Sequence, residues 1–310
     1  MGILRHTLLW ASHNAWLKER VPRQAFVRRA VRRFMPGEDA AAALAAAEVF
    51  QQQGIGSVLT VLGEDLADES EARSVVDEYG ALLGEIARRS LDAEISVKPT
   101  HLGLDLGADV AAAGLDRLAA LSAAHGKVMW IDMEGSQHTD ATLALYARVR
   151  ASQPGVGLCL QSYLRRTGAD LESLLAEPTA VRLVKGAYAE PGTIAYTRKA
   201  EVDARFLELA GRLLAAAAGQ PRARVGIATH DRRLIGRVIE GAESSRVPRS
   251  AYEFQMLYGI QRDEQLRLAR AGYRVRVLIS FGPAWFPWYL RRLAERPANL
   301  WFVLRNLVAR

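Results

Sequence analysis

The sequence predicts an α/β protein built as a closed (β/α)8 barrel of the TIM type. Three observations carry that prediction. Short β-type runs alternate with helical stretches from about residue 57 onward, falling at 57–62, 94–97, 127–131, 157–160, 180–184, 225–228, 252–255 and 274–279. Eight such runs match the strand count of a barrel. Nearly every run then delivers a polar or charged group at its carboxyl end, where barrel active sites form. The alternative, an open doubly wound sheet, loses weight because no Gly-x-Gly-x-x-Gly follows any of the runs.

In chain order, residues 1–53 read as an N-terminal helical arm and 54–310 as the barrel. The chain carries a net charge of +7, and residues 1–36 account for all of it: Arg5, Lys18, Arg20, Arg23, Arg28, Arg29, Arg32 and Arg33 stand against Glu19 alone. Trp10, Trp16, Phe26 and Phe34 are interleaved with them. Two readings fit: a helix lying on an anionic membrane surface, or an arm packed on the barrel with its arginines in water. An alanine-rich helix follows over 39–53. The barrel helices are expected at 70–90, 108–125, 140–151, 198–218, 231–243 and 263–271, with Gly126, Gly155 and Gly272 at helix stops. Pro287 suits a first helical position and Pro297 forbids continuation, so a last short helix is bracketed between them.

Composition narrows the function classes. Half of the 310 residues are hydrophobic, enough for a substantial core. The single cysteine, Cys159, excludes a disulfide framework, sits in an apolar run as a core thiol, and fits a reducing, cytoplasmic setting. No run of about 18 apolar residues is present to span a membrane, and no apolar core precedes a small-residue cleavage site as in a signal peptide. Beyond the arm the charges balance, so the basic pI does not describe a nucleic-acid-binding body. His101, His125, His138 and His230 lack paired metal-ligand spacing, and neither a Walker A nor a Gly-x-Ser-x-Gly motif occurs.

The strand ends read Gly63-Glu64, Lys98-Pro99, Asp132-Met133-Glu134, Gln161, Lys185-Gly186-Ala187-Tyr188, Thr229-His230-Asp231 and Gln255-Met256-Leu257. One polar strand end is expected by chance; a ring of them reads as a catalytic mouth. Arg182 lies inside the apolar run 181–184 and must face solvent or meet a fixed polar or anionic partner. On the last helix Trp288, Arg291, Arg292 and Glu295 are three or four residues apart and share a side. Guanidinium forks bind a carboxylate, a glutamate suits an amine and a ring covers carbon, a set matched to a small zwitterion with an apolar body. A solvated Arg–Glu pair on a surface helix is the other reading that the helix alone allows. Two other classes stay open here: a Schiff-base aldolase using Lys185, and a non-enzymatic module binding through the basic arm.

Five motifs resemble the proline dehydrogenase family: Gln161-Ser162-Tyr163-Leu164-Arg165-Arg166-Thr167; Val181-Arg182-Leu183-Val184-Lys185-Gly186-Ala187-Tyr188; Ala228-Thr229-His230; Glu253-Phe254-Gln255-Met256-Leu257-Tyr258-Gly259; and Arg291-Arg292-Leu293-Ala294-Glu295-Arg296-Pro297-Ala298-Asn299. The length is that of the stand-alone bacterial enzymes. The resemblance implies a distorted barrel holding FAD, with the last barrel helix over the mouth. It implies oxidation of L-proline to Δ1-pyrroline-5-carboxylate, with hydride from C5 to the flavin and electrons passed to a membrane quinone. Met133, Gln161, Arg182, Val184, Lys185, Gly186, Ala187, Thr229 and His230 would hold the flavin. Lys98, Arg291 and Arg292 would take the proline carboxylate, with Tyr188, Leu257, Trp288 and Glu295 beside them. Asp132 and Arg182 would be the catalytic pair, and Glu64 could gate the site by pairing with an arginine of the last helix. A separate pyrroline-5-carboxylate dehydrogenase would be a partner, and peripheral contact with the inner face of the membrane would run through the arm. Two departures bear on substrate selectivity rather than reaction type. The family's Tyr-x-Pro-Tyr-Gly after the eighth strand reads Leu278-Ile279-Ser280-Phe281-Gly282 here, and Trp288 replaces the usual tyrosine.

Overall fold

The fold follows from which residues each segment can bury. In the computed structural model, which describes residues 20, 31–63, 66–177, 179–220 and 223–286, eight strands form: β1 (Gly56–Val61), β2 (Ala93–Val97), β3 (Met129–Ile131), β4 (Gly157–Gln161), β5 (Ala180–Val184), β6 (Arg224–Ala228), β7 (Tyr252–Leu257) and β8 (Arg274–Phe281). Each pairs in parallel with the next, and β8 closes on β1 from Gly56↔Arg276 to Val61↔Phe281. The result is a closed eight-stranded barrel, as the strand count predicts. No helix among the described residues is long and apolar enough to cross a membrane.

Among the described residues eight α-helices accompany the strands: α1 (Ala40–Gln51), α2 (Glu69–Arg88), α3 (Ala108–Ala124), α4 (Thr139–Ser152), α5 (Thr167–Leu174), α6 (Lys199–Gly219), α7 (Arg232–Ser244) and α8 (Arg262–Arg270). Their ends are chemically marked. The Asp39, Asp68 and Asp231 side chains accept from the first free amides of α1, α2 and α7. Gly126 and Gly272, past α3 and α8, take the left-handed conformation at φ +64° and +80°. Gly155 does not: α4 ends earlier, with Gln153 as its cap. The helix α5 is absent from the sequence expectation, because its eight residues bury only Thr167 and Leu171 and give no periodic signal.

Strand residues alternate between two environments. Leu59, Val61, Ile95, Val97, Ile131, Leu158, Leu160, Val181, Leu183, Val225, Ile227, Phe254, Met256, Val277 and Ile279 join the helices in one core cluster, which also takes Leu44, Ala47 and Phe50 of α1. The intervening residues fill the barrel, and there the packing is largely polar. Arg224 pairs with Glu94 and with Glu253 at 2.9 Å, and Arg276 lies 3.0 Å from Asp92 and 3.5 Å from Glu253. The Trp130 indole N–H donates to Glu94 at 2.8 Å, while its ring is approached by Arg182 at 5.2 Å and Arg224 at 5.4 Å. Burial pushes the Glu253 carboxyl up, but the Arg224 and Arg276 charges outweigh it and hold the group below the usual carboxylate range.

Of the arm, the described end packs on the barrel. Val31, Phe34 and Met35 are buried while Arg32 and Arg33 are exposed. Gly259, at φ +74°, lies so close beneath the Arg33 carbonyl that a Cβ there would stand 1.6 Å from its oxygen. Glu38 accepts from the Trp285 indole at 3.1 Å, which ties this segment to the end of the described barrel.

Candidate active site

Arg182 decides the centre of the site. It sits mid-strand on β5 at 3% exposure, and a guanidinium so desolvated needs a fixed counter-charge. Asp132, directly after β3, supplies it in an ion pair. Burial works against the Arg182 charge, yet Asp132 together with Cys159 and Glu94 outweighs it, and the pKa lies above the ordinary arginine value. Ser96 Oγ bridges the two, 3.0 Å from Asp132 and 2.6 Å from Arg182 Nη2, and Gln255 approaches Nη1 at 3.5 Å. Gln255 donates in turn to Glu253 at 2.6 Å, so the pair joins the polar interior below it. Cys159 also lies against Arg182; burial pushes its thiol up, away from a reactive thiolate.

Around this pair the strand ends interlock. Gln161 donates through Nε2 to the carbonyls of Met133 (2.7 Å) and Glu134 (2.8 Å), while its buried Oε1 meets no partner among the described residues. Glu134 accepts from the Thr100 amide at 3.0 Å and hydroxyl at 2.6 Å, locking the loop after Lys98. The amides of Ser162 and Tyr163 donate to the Val184 and Lys185 carbonyls at 2.8 and 2.9 Å. Gly186, at φ +112°, lies against the Tyr163 ring, 2.2 Å from where a Cβ would be. Lys185 is held by Asp203 of α6 at 2.5 Å and Asp231 at 3.7 Å, and Lys199 pairs with the same two carboxylates. Such a salt-bridged ammonium is a poor Schiff-base nucleophile, which removes the support for an aldolase. Thr229 Oγ1 accepts from the Asp231 amide at 3.2 Å. His230 Nε2 accepts from the Leu257 amide at 2.8 Å, which anchors the imidazole across β6 and β7.

The structure thus brings Asp132, Met133, Gln161, Val184, Lys185, Gly186, Thr229, His230 and Leu257 to the carboxyl ends of neighbouring strands, with Arg182 inside the barrel at mid-β5. Ala187 and Tyr188 follow as exposed residues of the loop after β5, and Lys98 is half-buried after β2. Glu64, Trp288, Arg291, Arg292 and Glu295 lie outside the described residues. Leu278 packs on Val58, Trp130 and Ala180 inside the barrel. Sequence reasoning missed Ser96, Trp130 and the carboxylates Asp203, Glu94 and Glu253. The signal for the strand residues was present: Glu94-Ile95-Ser96-Val97-Lys98 alternates polar with apolar, marking an inward polar face. Asp203 had none, since it sits on a helix beside ordinary charged residues. Among the described residues, no group of three or more His, Cys, Asp or Glu is arranged to hold a metal ion.

A parallel barrel with a desolvated arginine–carboxylate pair at its centre and polar strand ends around it has the build of a (β/α)8 enzyme, whose candidate site is this mouth. The sequence model of the family described as proline dehydrogenase matches residues 43–305. The chain is 34% identical over 306 residues to "Proline dehydrogenase 1" of Bacillus subtilis strain 168, covering 99% of both chains. It is 34% identical over 282 residues to "Proline dehydrogenase" of Deinococcus radiodurans, covering 89% of both. Among solved structures, proline utilization A (PutA) from Bdellovibrio bacteriovorus superposes over 94% of this chain with a TM-score of 0.81 at 24% identity, a likeness of fold. A second PutA structure, with proline bound in remote sites, gives 0.71 at 27% identity over 89% of this chain. This chain spans 36% and 32% of those two PutA chains. The chain belongs to the proline dehydrogenase family, and its activity is the oxidoreductase reaction that begins proline catabolism.

Proposed function

We propose that the chain oxidises L-proline to Δ1-pyrroline-5-carboxylate with FAD as its cofactor and a quinone as the final acceptor. The observation that carries this reading is the buried Arg182 cation fixed by Asp132 and Ser96. A preorganised cation of that kind stabilises negative charge developing beside it during oxidation. When bound, FAD supplies the two-electron acceptor for hydride leaving proline C5. Two features of the mouth fit a planar, polar-edged group. Gln161 Oε1 is a buried acceptor in need of a donor, and the Gly186 backbone lies where a side chain would collide with Tyr163. Met133, Gln161, Val184, Lys185, Gly186, Ala187, Thr229 and His230 would hold the cofactor beside Arg182.

Substrate handling falls to cations and one carboxylate. Lys98, Arg291 and Arg292 bind and orient the proline carboxylate, and Tyr188, Leu257, Trp288 and Glu295 border the ring and the amine. Orientation is most of their contribution, since it makes hydride loss effectively intramolecular. The proline nitrogen must shed a proton before its lone pair can assist, so turnover rises from neutral to mildly alkaline pH. The barrel 54–310 carries all of these groups, and the basic stretch that begins the arm 1–53 is assigned to contact with the inner, cytoplasmic face of the membrane, where the quinone lies. A separate pyrroline-5-carboxylate dehydrogenase consumes the product.

The experiment is direct. The protein reconstituted with FAD is expected to be yellow and to bleach on addition of L-proline, with the pyrroline trapped by o-aminobenzaldehyde. A colourless protein, or a yellow one indifferent to proline, overturns the reading. For the arm, deleting residues 1–30 spares the packed Val31, Phe34 and Met35. Loss confined to quinone in liposomes, with a soluble dye acceptor unaffected, supports membrane delivery; equal loss with both makes the arm structural.

A further inference from the structure

Strand pairing between β1 and β2 fails at one defined bond. The register runs Ser57↔Ala93, Val58↔Glu94, Leu59↔Ile95. Ser57 N–H donates to the Asp92 carbonyl at 2.9 Å. In a parallel ladder this phase assigns the Leu59 N–H to the Glu94 carbonyl and the Val61 N–H to the Ser96 carbonyl. The second of these bonds is replaced. Val61 N–H donates instead to the Tyr79 hydroxyl at 2.9 Å, and that hydroxyl donates to the Ser96 carbonyl at 2.8 Å.

Tyr79 belongs to α2, in the helical layer, and is fully buried. Its oxygen therefore reaches through the barrel wall. The remaining lone pair faces Thr60 Oγ1 at 3.4 Å, so the hydroxyl's single donor and both acceptor sites are engaged. Meanwhile β1 stays paired with β8 as far as Val61↔Phe281, and β2 with β3 as far as Val97↔Ile131. The opening is confined to one seam.

A direct Val61–Ser96 bond would satisfy both backbone groups without recruiting a side chain from the helices. Interposing the hydroxyl puts two hydrogen-bond lengths where a ladder has one, and so spreads the strands. The residue at the opened level is Ser96, and its Oγ sits between Asp132 and Arg182. We infer that Tyr79 is a positioning residue for proline oxidation: it wedges the β1–β2 seam, fixes Ser96 on β2 and, through Ser96, sets the Asp132–Arg182 pair. The inference rests on the assignment of that pair to the flavin site. Without the hydroxyl, Val61 and Ser96 can pair directly, and that shift draws Ser96 Oγ away from its two partners.

The test is a double-mutant cycle on the FAD-loaded enzyme with Tyr79→Phe, Ser96→Ala and the double variant. For each, kcat and KM for proline, the midpoint potential of bound flavin and the melting temperature are measured. Each single variant is expected to lower kcat about fivefold, equivalent to about 1 kcal/mol on the barrier. KM should stay within about twofold, and the potential should shift in the same direction in both. Because both substitutions break one line of contacts, the double variant is expected to be no worse than the weaker single. A Tyr79→Phe protein that melts earlier but keeps kcat and potential overturns the inference, as do additive losses of about 25-fold in the double. If Tyr79→Phe does not fold, 3-fluorotyrosine at position 79 retains the hydroxyl and makes it a stronger donor and a weaker acceptor, at the cost of one small ring substituent. A potential unmoved there but moved by Ser96→Ala overturns the inference equally. A parent that takes up no FAD overturns the flavin assignment and this inference with it, whereas an active parent with additive variants overturns the inference alone.

Discussion

Replacing Asp132 by alanine isolates the energetic weight of the central ion pair. The change takes the ion-pair partner from an arginine that is 3% exposed in the parent and leaves it neutral hydrogen-bond partners, Ser96 at 2.6 Å and Gln255 at 3.5 Å. Arginine cannot escape the cost by losing its proton, since it stays charged in proteins. Removing one member of a buried pair costs about 3–5 kcal/mol. Asp132 is itself 21% exposed, so water can enter the vacated space, and the Ser96 contact survives. Both place the loss at the low end, about 3 kcal/mol. With an unfolding entropy of about 2 cal/mol/K per residue, a chain of this length loses about 5 °C in Tm. Scanning calorimetry of the FAD-free protein near neutral pH reads this without interference from cofactor binding. A companion variant, Asp132→Leu with Arg182→Met, removes both charges and is expected to recover most of the Tm. It should remain unable to bleach flavin with proline, because the cation is gone. An Asp132→Ala protein melting within about 1 °C of the parent would show that water already screens the pair, and the reasoning from desolvation would fail.

Further outcomes follow from single contacts. Gly186→Ala forces a Cβ to 2.2 Å from the Tyr163 ring at a φ of +112°, so FAD content is expected to drop severalfold, measured as the flavin-to-protein absorbance ratio. Burial pushes Asp203 and Asp231 up, but Lys185 and Lys199, with the Arg233 amide at Asp231, outweigh it and hold both carboxyls below the ordinary value of 3.8. A depressed folded pKa gives stability that is present above the unfolded value and lost as pH falls through the folded one. Asp203→Asn should therefore flatten the fall in Tm below about pH 4, and an unchanged acid slope would contradict this. Arg291→Ala and Arg292→Ala are each expected to raise KM for proline by well over tenfold, the equivalent of about 2–4 kcal/mol, with flavin content near normal. Steady-state kinetics checks it, and parental proline binding in both would leave the helix with only a surface ion pair.

The alternation of eight short β-type runs with helical stretches determined the barrel, because parallel strands in a closed sheet are joined by helical crossovers and must follow that order. Strand ends were legible for the same reason: barrel topology turns every one of them to the same rim. Where the signal was short or aperiodic it failed. Helix α5 buries too few residues to show a period, and Gly155 looks like a helix stop but is not one. Arg182 is the instructive residue. Its place in an apolar run required a partner, and the run could not say which, since Asp132 is 50 positions away.

By itself, then, the sequence determined the barrel, the composition of its rim and the family, all of which follow from local periodicity and motif. Only the tertiary structure decided the partners: Ser96 between Asp132 and Arg182, Asp203 on Lys185, Leu257 on His230, and Tyr79 in the seam of β1 and β2. These contacts join residues far apart in the chain and fall to one pair or another by differences of an ångström. Closing the barrel fixes those differences, and periodicity along a single chain carries no information about them.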